Sequence, residues 1–244
     1  FVTYFARLVG FLIPSKPVQE VPRLTVLNPR MISSPVIAVE QASREVLFMA
    51  DSDLELLGGV RRLLAGEENT ELEDHIRHRE DILDNVQREI TDFLGQIMTH
   101  RLPQDVALRA RTLLRITDEY ESVSDEAVSL LKMVRRLRTH KLSLSPQDIE
   151  ELGQIHDLAT QFGAYVTEAV RSDGAQSAAM LTHLEADEAN IKGMIRQVRK
   201  FHLSRLEDKA ASPFKTNVCL DILNAYGRIR ECYANIGETL RGEK

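Results

Sequence analysis

The chain has 244 residues, of which 43% are hydrophobic, 28% charged and only 5% aromatic, with no tryptophan. A core of Leu, Ile, Val, Met and Ala suits helix-on-helix packing and argues against a β-sandwich, which leans on aromatic and β-branched side chains. Lys and Arg number 31 against 37 Asp and Glu, so the net charge of −6 argues against a general nucleic-acid binder, which displays a basic face.

The chain begins at Phe1, not Met, which sets the expectation that it is a piece of a longer protein. Residues 1–14 (FVTYFARLVGFLIP) are apolar apart from Arg7. They are too short to span a bilayer alone and lack a signal-peptide cleavage pattern. They read either as a frayed helix or as the stub of a preceding transmembrane helix, with Arg7, Lys16, Arg23 and Arg30 marking its cytoplasmic side. Residues 15–35 carry Pro17, Pro22, Pro29 and Pro35, which forbid a continuous helix and predict a proline-rich linker.

Helix signals dominate from there on. Ser34-Pro35, Ser145-Pro146 and Ser212-Pro213 each set a capping residue before a proline suited to the first helical position. Asp148, three residues after Ser145, favours the N-terminal dipole. Pro103 marks another start, and Gly66 and Gly174 fall at expected ends. Six long helices are predicted, at about 35–65, 70–99, 103–138, 146–171, 176–207 and 213–242.

In the third helix Leu113, Ile116, Tyr120, Val123, Ala127, Leu130, Val134 and Leu137 step by threes and fours, the pattern of a bundle seam. An offset of 106 carries the run from Ile116 to Val134 onto Ile222, Tyr226, Ile229, Tyr233, Ile236 and Leu240. An offset of 108 carries Leu72, Ile76, Leu83, Val86, Ile90 and Phe93 onto Met180, Leu184, Ile191, Met194, Val198 and Phe201. The skipped position is Arg79 in one copy and Asp187 in the other. Two matched helices at nearly one offset predict an all-α chain of two tandem antiparallel three-helix bundles, residues 36–140 and 141–244.

Cys219 and Cys232 lie on one predicted helix, roughly 20 Å apart and too far to bridge. They read as reduced thiols in a cytoplasmic protein. Asp118, Glu121 and Asp125 share a face of the third helix. Three carboxylates on one stripe repel one another unless a cation compensates, so the stripe reads either as a solvated face or as an oxygen-ligand metal site. The equivalent positions in the sixth helix are Asn224, Gly227 and Glu231, and only Glu231 can still ligate. No histidine has a glutamate three residues before it, which argues against a di-iron carboxylate bundle. His75 and His78, with Glu71, share a face of the second helix and read either as an incidental surface pair or as a metal site, while His156 and His183 have no evident partners. The basic run Lys132, Arg135, Arg136, Arg138, His140 and Lys141 complements the dipole at the end of the third helix, or attracts phosphate or anionic lipid. There is no phosphate-binding glycine loop, nucleophile elbow or Cys-x-x-Cys, hence no recognisable catalytic centre.

Residues 118–131, DEYESVSDEAVSLL, resemble the acidic Glu/Asp-x-x-x-Asp signature of PhoU-like domains, with Glu121 and Asp125 on the signature positions. Residues 226–238, YGRIRECYANIGE, are similar to the family's Y-E-R-I-G-D-x-x-x-N-I-x-E run, but Gly227 replaces the first acid and Glu231 the Asp. Residues 26–50, VLNPRMISSPVIAVEQASREVLFMA, resemble the junction where the last membrane helix of bacterial sodium/phosphate cotransporter family proteins meets a C-terminal PhoU-like region. The resemblance implies two three-helix bundles and, in some members, multinuclear iron or zinc clusters on the acidic motifs. Here the implied ligands are Asp118, Glu121, Asp125 and Glu231, with metal at the first motif before the second. It further implies phosphate regulation, not catalysis, at the cytoplasmic face of the plasma membrane. The implied partners are the chain's own transporter domain, phosphate-signalling proteins and, through free bundle faces, a second copy. Two other classes are carried beside this reading: a free-standing PhoU-like regulator, and a metal-dependent enzyme on the first acidic cluster.

Overall fold

The computed structural model describes residues 27–172, 183–205 and 212–242; the apolar segment 1–14 lies outside them, as do residues 15–26 of the expected linker and Gly174. A short 3-10 turn, Pro29–Ser33, precedes six long helices. These are α1 (Pro35–Leu64), α2 (Thr70–Met98), α3 (Gln104–Thr139), α4 (Pro146–Arg171), α5 (Leu184–Ser204) and α6 (Pro213–Arg241). There is no strand among the described residues. No described helix is long and apolar enough to cross a membrane.

Local chemistry sets the helix ends. Gly66, at φ +97°, takes the left-handed step after α1, and the Glu67 N–H returns to the Arg62 carbonyl at 3.1 Å. The Asn69 side chain accepts from the Leu72 N–H at the start of α2. At α4 the Ser145 hydroxyl accepts from the Asp148 N–H at 3.2 Å while Asp148 accepts from the Ser145 N–H at 2.8 Å, a complete capping box. Ser212 caps α6 through the Lys215 N–H, and Gly242, at φ 74°, ends it.

Two expectations shift. Ser34 makes no side-chain cap, because the 3-10 turn runs directly into α1 and the Ser34 N–H bonds the Met31 carbonyl at 2.8 Å. The last part of the expected linker is thereby docked: Leu27, Met31 and Ile32 are partly buried against the core. The predicted fifth helix, 176–207, is described only from Leu184 to Ser204; 176–182 and 206–207 lie outside the described residues.

Within each half the three helices pack on one another. The halves join through like helices: α3 against α6, the most extensive pairing, and α1 against α4, with α2 and α5 on the outer flanks. The eight seam residues of α3 are all buried, as are Ile222, Tyr226, Ile229, Tyr233 and Ile236 of α6, with Leu240 partly so. Each fully buried aliphatic side chain contributes about 1.5–3 kcal/mol by leaving water. Tyr120 and Tyr233 meet edge to face across the α3–α6 contact, with centroids 6.5 Å apart. Gly163 of α4 makes room for Tyr233, since a Cβ there would stand 2.4 Å from the ring.

Candidate metal centre

Packing α2 beside α3 brings together acids that the linear sequence keeps apart. Glu80 and Asp84 are one turn apart on α2, and one oxygen from each lies within 4.8 Å of the others and of a carboxylate oxygen of Asp125 on α3. Glu80 is pushed up to about 7, first by burial and then by the charges of Asp84 and Asp125, and it hydrogen-bonds Asp125 as a protonated carboxyl does. Asp84 is raised by burial and by Asp125. Glu121, one turn before Asp125, is raised by burial, then by Asp125, Asp84 and Asp118.

Behind Glu121, in the core, Asp53 of α1 is 0% exposed, and neither carboxylate oxygen has a hydrogen-bond partner among the described residues. Burial holds its carboxyl well above the ordinary range, and Glu121 adds to the effect.

The four residues expected as ligands therefore fall into different places. Asp125 joins Glu80 and Asp84, and Glu121 adjoins that set. Asp118 is exposed and accepts from Gln87 Nε2 at 2.9 Å, on the rim. Glu231 lies across a cleft of about 300 Å³ from Asp125, shared with Ser122, Glu126, Arg228, Cys232 and Asn235. Glu80 and Asp84 join this grouping, with Asp53 buried behind Glu121, and reading the α3 stripe alone misses all three. Asp53 had a signal, since Val46, Met49, Asp53, Leu56 and Val60 step by threes and fours and set it on the buried seam.

The second half answers the same positions with built-in cations. Offsets of 108 and 106 carry Glu80, Asp84, Asp118, Glu121 and Asp125 onto Glu188, Lys192, Asn224, Gly227 and Glu231. Arg230 pairs with Glu188 and lies 3.9 Å from Glu231. Arg199 donates to Asn224 at 2.7 Å. One copy concentrates negative charge, while the other neutralises it with arginine and lysine.

Several other polar groups that the sequence singles out have internal partners. His156 sits buried between the Tyr226 hydroxyl, at 2.8 Å, and Thr160, at 3.2 Å, and burial lowers it to about 4, so it is a neutral core histidine. His75 lies 3.6 Å from Glu55. In the basic run Arg138 pairs with Glu73, Arg135 lies 3.5 Å from Glu73, Arg136 reaches Asp221 at 3.4 Å, and His140 stacks on Phe214. Three of its arginines thus tie the end of α3 to its neighbours.

No family description matches the chain, and no curated protein matches it significantly. Solved structures do. The phosphate transport system regulatory protein PhoU from Streptococcus pneumoniae is similar at a TM-score of 0.71 and 17% identity, over 84% of this chain and 94% of that one. PhoU from Pseudomonas aeruginosa is similar at 0.66 and 16%, over 86% and 99%. The chain therefore has the PhoU fold.

Proposed function

We propose that this chain is a regulatory module of phosphate transport, carried at the cytoplasmic face of the plasma membrane by a sodium-coupled phosphate transporter. The bundle forms no transport path itself; its helices are amphipathic, and their apolar faces are spent on one another. The observation that supports the reading most is the accumulation of carboxylates on α2 and α3 within a PhoU fold, because fold likeness alone does not assign a function.

Glu80, Asp84 and Asp125 form the core of a cation site in this reading, with Glu121 beside them, Asp118 on its rim and Glu231 on the facing wall. The raised carboxyls of Glu80, Asp84 and Glu121 and the all-oxygen donor set fit a hard or borderline cation such as iron or zinc, and a cluster of more than one ion fits five or six carboxylates. Bound cations would relieve the mutual repulsion and stiffen the α2–α3 pair, a local charge event that a transporter or a phosphate-signalling partner can read.

The test uses the full-length protein. Deletion of residues 36–244, and separately Glu121→Ala with Asp125→Ala, should alter phosphate uptake or its response to phosphate supply. Elemental analysis of protein purified without chelator should find iron or zinc that the double variant lacks. Unchanged uptake and regulation after the deletion would overturn the regulatory role. A free-standing regulator is the second reading, favoured because the likeness spans 94% and 99% of the two solved PhoU chains. The coding sequence upstream of Phe1 separates the two.

A further inference from the structure

At one end of the second half, the start of α4, the end of α5 and the start of α6 converge on a group of mixed chemistry. Asp148, His202 and Cys219 are all buried, and one ligand atom from each lies within 4.8 Å of the others. His202 is 2% exposed, yet its Nε2 has no hydrogen-bond partner among the described residues. Glu151 Oε2, 3.9 Å from that nitrogen, is buried and equally without one. A buried imidazole nitrogen and a buried carboxylate oxygen that face each other at this distance without a hydrogen bond lack whatever satisfies them.

We infer that Asp148, His202 and Cys219, with Glu151 beside them, form a binding site for a zinc-type divalent cation, separate from the acidic face of α2 and α3. The donor set decides the class of ion. One sulfur and one imidazole nitrogen among carboxylate oxygens select zinc or cobalt over magnesium or calcium, which take oxygen alone. The scaffold also orients the ligands. Asp148 Oδ2 is committed to the Ser145 N–H and to Lys215, at 2.5 Å, while its Oδ1 has only Arg205 at 3.4 Å. The capping box thus acts as the outer support of a ligand. The charges close as well. On binding, the Cys219 thiol gives its proton to solvent, and the dication is met by one thiolate and two carboxylates, with Lys215 and Arg205 against the residual negative charge. A cation here would pin three helix ends together. The site shares no residue with the acidic face.

The experiment strips the protein with chelator and titrates it with Co²⁺, whose thiolate complexes absorb in the near ultraviolet and whose tetrahedral sites absorb in the visible. One equivalent should develop both bands, and Zn²⁺ should erase them. Cys219→Ser should abolish the thiolate band. Cys232→Ser and the triple variant Glu80→Gln, Asp84→Asn, Asp125→Asn should keep it. A wild-type titration without a thiolate band, or a band that survives Cys219→Ser, overturns the site. Alkylation of the wild-type protein needs no variant: one equivalent of Zn²⁺ should slow modification of Cys219 relative to Cys232 by roughly tenfold or more. Equal slowing of both thiols, or of neither, overturns it too.

Discussion

Asp53→Ala should make the metal-free protein more stable at neutral pH, although it truncates a fully buried side chain. The carboxyl is 0% exposed with both oxygens unpartnered, and removing an unsatisfied buried polar group returns about 1–3 kcal/mol. Against this stands the void left behind, roughly 25 Å³, which at about 24 cal/mol per Å³ costs about 0.6 kcal/mol. Alanine in place of aspartate inside α1 returns about 0.5 kcal/mol through helix propensity. The balance is a gain of about 1–3 kcal/mol, a rise in Tm of about 2–4 °C per kcal/mol for a chain of this size. The pH dependence follows from the raised carboxyl. In the unfolded chain Asp53 ionises in the ordinary range; in the fold it holds its proton to higher pH. Its penalty is therefore full above the folded value and fades as pH falls toward the unfolded one. Urea melts in EDTA at pH 7.5 and 4.5 measure both quantities. A variant less stable than wild type at pH 7.5, or an advantage that grows on acidification, would refute the reasoning.

Glu80→Gln should stabilise the metal-free protein at pH 8 by less than about 1 kcal/mol, the effect being limited by solvent on this half-exposed group. Since burial and the neighbouring carboxylates push Glu80 up to about 7, the advantage should shrink as pH falls through that value toward 4.5, read as Tm against pH in EDTA. Gly163→Ala should destabilise by about 1–3 kcal/mol in urea, because its Cβ meets the buried Tyr233 ring at 2.4 Å. Gly58→Ala, whose Cβ meets nothing within 4 Å, should instead stabilise by about 0.5–1 kcal/mol. Lys192→Asp with Asn224→Asp, Gly227→Glu and Arg230→Ser rebuilds the acidic set in the second half. It should raise the metal content found by elemental analysis over wild type, and unchanged content would sink the account of why that half is neutral.

Much of the architecture was legible because its punctuation is local. Five of the six helices have the predicted ends to within a residue, since Pro35, Pro103, Pro146 and Pro213 fix starts and Gly66 fixes a stop. The seam residues of α3 and α6 are buried as their spacing requires. The start of α5 carried no such mark, and His183 makes no side-chain cap there. The acidic site was half legible. Asp118, Glu121 and Asp125 share a stripe visible in one helix, but Glu80 and Asp84 lie on α2, and only the packing of α2 against α3 brings them to Asp125. The pairings of Arg230 and Arg199 with residues 42 and 25 positions away depend on the same packing. The group at Asp148, His202 and Cys219 draws on three helices and has no spacing to read.

The pairing of like helices across the middle of the molecule makes each half depend on the other. Tyr120 of one half has Tyr233 of the other at its edge, and Tyr233 in turn fills the space over Gly163. Neither half can separate as an independent unit without exposing the apolar face of the other, so the half whose acids are neutralised still serves as a wall for the half that concentrates them. An acidic face on one side and a neutralised one on the other thus share a single frame, held by the same seam.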